Sequence, residues 1–143
     1  MRLNDLEKSE AFLAQALQIE PEAYTPLINR AIVLFQLKRF ADSEALLRNA
    51  LKLKVDSAVG RYFLGQVLAN LGKFDEAEPE LLAAIKLGGP EMKEAHRILS
   101  IIYSARGDDQ KCLRELEAYV KLTPNAPDVE KLKARIAELK ARN

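Results

Sequence analysis

The stretch 64-LGQVLANLGKFDEAEPELLAAI-85 decides the fold, because its pattern of leucines and small residues recurs along the chain. One column of leucines repeats at steps of 34, 34 and 35 residues: Leu13, Leu47, Leu81 and Leu116. A column of small residues repeats at the same steps: Ser9, Ser43, Ala77 and Cys112. A period of this length is typical of a solenoid, in which each unit buries its apolar face only by stacking on its neighbours.

Between these columns the apolar residues fall at helical spacing, as in Leu64, Val67 and Leu71. Glycine and proline interrupt the pattern where helices must end, for example at Gly72 and Gly107. The sequence predicts eight helices, over residues 5–19, 25–37, 40–53, 57–71, 75–87, 90–105, 109–122 and 127–141. The turns between them are short, so consecutive helices must pack antiparallel.

Composition narrows the classes of function. The chain has 143 residues, of which 48% are hydrophobic, enough for one compact domain. Its 22 basic and 21 acidic residues leave a net charge of +1, so no long-range field steers it to nucleic acid or to an anionic membrane. No run approaches the roughly 18 apolar residues of a membrane span, and the N-terminus lacks a signal-peptide profile. The single cysteine excludes an internal disulfide and leaves the localisation open.

The stretch of residues 64–85 resembles the tetratricopeptide repeat, a 34-residue helix–turn–helix unit. The matching positions are Leu64, Gly65, Leu68, Gly72, Phe74, Ala77, Leu81, Ala84 and Ile85. The resemblance covers essentially the whole chain and implies an all-α fold, a right-handed superhelical solenoid of antiparallel helix pairs. Four residues depart from the family pattern. Arg30 stands where leucine is usual, and Arg61 and His96 stand where a bulky apolar or aromatic residue is usual. Asp109 stands where Phe40 and Phe74 predict an aromatic residue.

The resemblance divides this single domain into about three and a half repeats and a cap. The predicted parts are a half repeat over 1–22, full repeats over 23–57, 58–92 and 93–126, and a capping helix over 127–143. The capping helix carries a narrow apolar stripe on a charged surface: Val129, Leu132, Ile136 and Leu139.

The half repeat matches only the second helix of a unit, and it carries a broad apolar surface: Leu6, Phe12, Leu13 and Ala16. Two explanations stay open: an excised fragment of a larger protein whose upstream helix was removed, or a natural N-terminal cap. The fragment is favoured, because terminal caps of such arrays usually have a polar outer face.

In proteins that resemble this chain, the first helices of successive repeats line a concave groove for a peptide or a partner helix. The resemblance places ten residues in that groove: Asn29, Ile32, Phe35, Tyr62, Phe63, Gln66, Asn70, Arg97, Ile98 and Ile101. The strip is mostly apolar with a few amides, which suits an amphipathic helix or an apolar peptide. The competing interpretation is burial between helices. Burial is favoured for Ile28, Ile32 and Ile98. A position in the groove is favoured for Tyr62, Phe63, Gln66 and Asn70.

Some members of this family hold the C-terminal carboxylate of heat-shock chaperones with a clamp of lysine, asparagine and arginine side chains. The corresponding positions here are Ile28, Ile32, Phe63, Glu94 and Ile98. No chaperone clamp is therefore expected.

The chain offers little material for catalysis. One histidine, His96, and one cysteine, Cys112, cannot assemble a typical structural zinc site. We expect both to fill packing positions between helices. The acidic run Asp75, Glu76, Glu78 and Glu80 is expected to be a solvated helix start favoured by the helix dipole. The sequence thus predicts no enzyme activity, no cofactor and no metal site.

The predicted function is a noncatalytic protein–protein interaction module with a protein or peptide ligand and no nucleic-acid or membrane partner. The alternative is a structural or self-association segment, in which the incomplete N-terminal hairpin pairs with another copy to form a homo-oligomer.

Overall fold

The computed structural model describes residues 2–142, which form eight α-helices and one short 3₁₀-helix. The helices are α1 (Leu3–Ile19), α2 (Tyr24–Gln36), α3 (Phe40–Leu53), α4 (Ala58–Asn70), α5 (Phe74–Gly88), α6 (Lys93–Ala105), α7 (Asp109–Leu122) and α8 (Val129–Ala141), with the 3₁₀-helix at Gly89–Met92. No strand occurs within the described residues. The all-α prediction is confirmed.

The helices stack as antiparallel pairs, α2 with α3, α4 with α5, and α6 with α7. We call α2, α4 and α6 the first helices and α3, α5 and α7 the second helices. Each pair packs on the next, α3 against α4 and α5 against α6, and neighbouring first helices touch. Helix α1 packs on α2 and helix α8 on α7. The assembly is the predicted right-handed superhelical solenoid.

The sequence columns form the core of this stack. The leucine column is buried from the first pair to the third: Leu47, Leu81 and Leu116. The small-residue column is buried where the two helices of a pair cross. There the Ser43 hydroxyl donates a hydrogen bond of 2.7 Å to the carbonyl oxygen of Ala31, and Cys112 is buried at the corresponding place. Cys112 therefore fills a packing position, as predicted.

The turns inside the three pairs share one backbone conformation. Lys38, Gly72 and Gly107 occupy the same column and have φ values of 60°, 74° and 73°. In each turn the backbone N–H of the following residue donates a hydrogen bond to a carbonyl oxygen in the last turn of the preceding first helix. Lys73 N, for example, lies 2.9 Å from Leu68 O. This closure is the usual left-handed end of a helix, which glycine adopts at little cost.

The start of α6 differs from the prediction. The expected helix over residues 90–105 begins at Lys93, and Gly89–Met92 forms a separate 3₁₀ turn. Gly89 has a φ of 59°, which interrupts the helical path after α5, and Pro90 then opens the short turn. The step from Leu81 to Leu116 is 35 residues and not 34, and the extra residue lies in this segment.

Candidate interaction surface

The ten predicted groove residues all lie on first helices. Asn29, Ile32 and Phe35 are on α2, Tyr62, Phe63, Gln66 and Asn70 on α4, and Arg97, Ile98 and Ile101 on α6. Their exposure is mixed. Ile101 is 58% exposed, whereas Ile32 and Ile98 are half-buried. Ile28 is buried at 6% exposure, in agreement with the burial interpretation of that residue.

An aromatic cluster joins α2 to α4. The ring centroids of Phe35 and Phe63 lie 6.5 Å apart in an edge-to-face arrangement, and Phe63 stands 5.1 Å from Tyr62. Phe40, at the start of α3, lies 5.5 Å from Phe35. Such ring pairs contribute about 0.5–1.5 kcal/mol beyond the area that they bury. Phe35 and Phe63 therefore stabilise the contact between first helices, and the cluster presents a rigid aromatic wall.

Tyr62 extends this wall toward the third pair. Burial raises the pKa of its phenol, and the negative charge of Glu94 on α6 raises that pKa further. Two amides follow on the same helix. Asn70 Nδ2 donates to the carbonyl oxygen of Gln66 at 2.9 Å; the Gln66 side chain is half-buried and Asn70 is exposed. Helix α4 thus carries an aromatic part followed by a polar part.

Arg97 has a structural partner that sequence reasoning missed. Its Nη2 lies 2.7 Å from Asp128 Oδ2, in the segment between α7 and α8. Its guanidinium also stands 5.5 Å above the centroid of the Tyr119 ring. These contacts tie α6 to the last two helices, and no sequence signal linked Arg97 to Asp128.

A cavity of about 440 Å³ lies between α6, α7 and α8, and Arg97 and Ile101 line it. Leu116 and Leu132 add apolar walls, and Cys112 is another lining residue. Burial raises the pKa of the Cys112 thiol, which disfavours the reactive thiolate. The cavity is therefore better suited to binding an apolar side chain than to a reaction at the Cys112 sulfur.

A further set of equivalent positions faces across each helix pair; it is apolar in the first pair and polar in the other two. Its first-helix members are Leu27, Arg61 and His96, and its second-helix members are Leu46, Glu80 and Glu115; we call the set the cross-pair column. Arg61 Nη1 lies 2.9 Å from Glu80 Oε2, and His96 Nδ1 lies 2.6 Å from Glu115 Oε2. His96 fills a packing position, as predicted. The two departures from the family pattern are compensated, because each meets a glutamate where the first pair has leucine.

Another set of ion pairs joins α1, α3 and α5 each to the next unit along the chain. The acceptors form a column at steps of 34 residues: Glu10, Glu44 and Glu78. Glu10 pairs with Arg30 at 2.6 Å, which explains the arginine where leucine is usual, and Glu44 pairs with Lys73 at 2.9 Å. The side-chain hydrogen bond from Lys73 is the largest influence on Glu44 and lowers its pKa.

Glu78 has the most elaborate of these contacts. It pairs with Arg106, and the Tyr103 hydroxyl donates to its carboxylate at 3.1 Å. The hydrogen bond from Arg106 lowers the pKa of Glu78, while burial and the Glu78 charge raise the pKa of Tyr103 to about 12. Arg106 also pairs with Asp75 at 2.6 Å. The prediction of a solvated acidic run is wrong for Glu78 and Glu80, which are half-buried and paired because they face neighbouring helices.

Two further findings concern the described residues as a whole. Within 2–142, no three histidine, cysteine, aspartate or glutamate side chains group in a way that could hold a metal ion. In the same part of the chain, none of the helices combines the length and the apolar character needed to cross a membrane.

Known proteins share this architecture. The model of the tetratricopeptide repeat family matches residues 62–128. The crystal structure of MamA superposes with a TM-score of 0.86 at 19% identity, over 96% of this chain and 80% of that one. MamA from Desulfovibrio magneticus RS-1, residue 41 to the end, gives 0.79 at 18% identity, over 96% and 87%. YrrB, a TPR protein with an unusual peptide-binding site, gives 0.77 at 22% identity, over 97% and 71%. No curated protein sequence matches the chain.

Proposed function

Because this chain is a tetratricopeptide-repeat protein, we propose that it is a noncatalytic interaction module whose first helices bind a peptide or a partner helix. The observation that carries the proposal is a strip of partly exposed apolar and amide side chains on three adjacent helices. Its members are Ile32, Phe35, Tyr62, Gln66, Asn70 and Ile101.

The strip has the physical character of a peptide-binding surface. The rings of Phe35 and Tyr62 are held by their neighbours, so little side-chain entropy is lost when a ligand packs on them. Ile101 is exposed beside the cavity at α8, where burying an apolar side chain gains about 25 cal/mol per Å². The amides of Gln66 and Asn70 supply hydrogen-bonding groups that fix the register of a ligand. The peptide-binding site of YrrB, on the same fold, supports a peptide as the ligand class.

The test begins with selection of peptides from a random library against the intact chain, followed by titration of the selected peptides. The groove variant combines Gln66→Ala, Asn70→Ala and Ile101→Ala. We leave Phe63 unchanged, because its contact with Phe35 makes it part of the fold. The expected result is at least a tenfold loss of affinity.

The matched control removes the same kind of apolar surface from a second helix. Leu82 and Leu87 on α5 are 44% and 47% exposed, so Leu82→Ala with Leu87→Ala changes a different face without opening the core. We expect this control to bind as the unaltered chain does. Equal affinities for the groove variant and the control would contradict the proposal.

A further inference from the structure

Helices α1 and α2 enclose an open trough of about 420 Å³ at one end of the solenoid. Its lining residues are Lys8, Ser9, Phe12, Leu13, Asn29 and Val33. Phe12 is 70% exposed, and its ring lies on the side of α1 that carries the repeat columns. Three of its lining residues, Ser9, Leu13 and Val33, stand at positions whose equivalents in the next unit are fully buried: Ser43, Leu47 and Val67.

The corresponding troughs further along the solenoid are filled by helices. Helix α2 packs on both α3 and α4, and helix α4 packs on both α5 and α6. Val33 shows the difference, since its equivalents Val67 and Ile102 are 0% exposed whereas Val33 is only half-buried. The interface between units thus continues to the α1–α2 end, where no helix of residues 2–142 covers it.

The cross-pair column indicates what that helix carries. Phe12 stands at the second-helix position of this column, one step before Leu46. In the α4–α5 and α6–α7 pairs both members are polar and form an ion pair or hydrogen bond, whereas both members are leucine in α2–α3. The two members therefore match in chemistry, and apolar Phe12 calls for an apolar partner residue.

Two other positions specify the partner further. Ser9 corresponds to Ser43, whose hydroxyl bonds the backbone carbonyl of a small residue, Ala31. Asn29 corresponds to Phe63, which meets Phe35 of the preceding first helix. A helix in the trough would therefore place a small residue beside Ser9 and a polar side chain beside the Asn29 amide.

We propose that the trough between α1 and α2 binds an amphipathic partner helix with the residue pattern of α2, apolar opposite Phe12 and polar opposite Asn29. A second copy of this chain offers no matching free helix within residues 2–142. Its first helices are packed in their own solenoid, and the exposed side of α8 carries Glu130 and Lys133.

The probe is a fluorescent synthetic peptide with the sequence of residues 23–37 of this chain, carrying Phe35→Gln and a helix-stabilising cross-link on its solvent side. Binding to the full chain is followed by fluorescence anisotropy. We expect saturable binding, weakened at least tenfold by Phe12→Glu in the chain. Leu82→Glu, at an exposed apolar site on α5 outside both the trough and the proposed groove, should leave the affinity unchanged.

A charge exchange tests the register of docking. A second peptide with Leu27→Arg should bind the Phe12→Glu chain better than the first peptide does, because the pair then reproduces Arg61 and Glu80. It should bind the unaltered chain more weakly than the first peptide. Circular dichroism confirms that each chain variant is folded.

Three results would overturn the proposal: no saturable binding to the folded chain, binding that is indifferent to Phe12→Glu, or no recovery with the exchanged pair. A concentration-dependent dimer that Phe12→Glu abolishes would also overturn it, since a second copy would then occupy the trough.

Discussion

The α2–α3 pair and the α4–α5 pair have the same arrangement of helices but different side chains at corresponding positions. In the cross-pair column the first has Leu27 and Leu46, and the second has Arg61 paired with Glu80 at 2.9 Å. The repeat therefore requires complementary partners of suitable volume at this column, and apolarity is only one way to provide them.

The two pairs also differ in how closely their helices approach. Where α2 has Ala31, α4 has Gly65, and a Cβ atom added there would lie 2.6 Å from Leu81 Cγ. The turns within the two pairs differ as well. At the residue with the left-handed conformation, the first pair has Lys38 and the second has Gly72. Exchanging these residues between the pairs tests each difference.

The largest expected effect comes from the helix crossing. Gly65→Ala should lower the free energy of unfolding by about 1–3 kcal/mol, because the methyl group overpacks the contact with Leu81. Urea denaturation measures the loss. Alanine is the better helix former, so an increase in stability would show that the crossing relaxes freely and would contradict the close approach.

The next effect concerns the ion pair of the second pair. Arg61→Leu alone should destabilise the protein by about 1–2 kcal/mol, because it leaves the half-buried Glu80 without its cation. Arg61→Leu combined with Glu80→Leu should recover most of this loss, since it reproduces the leucines of the first pair. Chemical denaturation of both variants gives the coupling. Equal losses in the single and double variants would refute the equivalence of the two solutions.

Glu44 and Glu78, which pair with cations of the next unit, should make the stability of the fold decrease at low pH. Hydrogen bonds from Lys73 and Arg106 lower the pKa values of Glu44 and Glu78 in the folded protein. Their contribution is complete above the ordinary glutamate pKa of about 4.3 and disappears as the pH falls through the lowered folded values. Glu78→Gln and Glu44→Gln should each flatten the decline of the melting temperature below that pH. Glu130→Gln, whose carboxylate is exposed on α8, is the control and should leave the slope unchanged.

The smallest effect is expected in the turn. Lys38→Gly should raise stability by about 0.5–1 kcal/mol, because glycine adopts a φ of 60° without the steric cost of a side chain. Gly72→Lys should lower it by a similar amount. Calorimetric melting temperatures of the two variants should move in opposite directions, and a decrease for Lys38→Gly would contradict the assignment.

Sequence reasoning reached the fold through columns that can be seen without coordinates. It placed a break between helices at residues 38–39 but did not predict the left-handed conformation of Lys38, because lysine does not signal that conformation, although its spacing from Gly72 is one period. It treated Arg61 and His96 as departures, because their glutamate partners stand 19 residues later and become neighbours only when two helices pair. The available signal was that Arg61 and His96 stand 35 residues apart, and that Glu80 and Glu115 stand the same distance apart.

The groove candidates divide in the same way. Their placement on the first helices follows from register alone, since one period carries each position to its equivalent. Their exposure depends on what the neighbouring helix brings, so Ile28 is buried whereas Ile101 remains open, and Arg97 is held by Asp128.

By itself, the sequence determined the helices, their antiparallel pairing and the solenoid, because these follow from local periodicity repeated at a constant step. Only the tertiary structure decided which charges are paired across helices and which apolar residues stay accessible. Phe12 illustrates the reason: its equivalents Leu46, Glu80 and Glu115 are half-buried against the first helix of their pair, yet Phe12 is 70% exposed, because burial depends on a neighbouring helix and not on the residue alone.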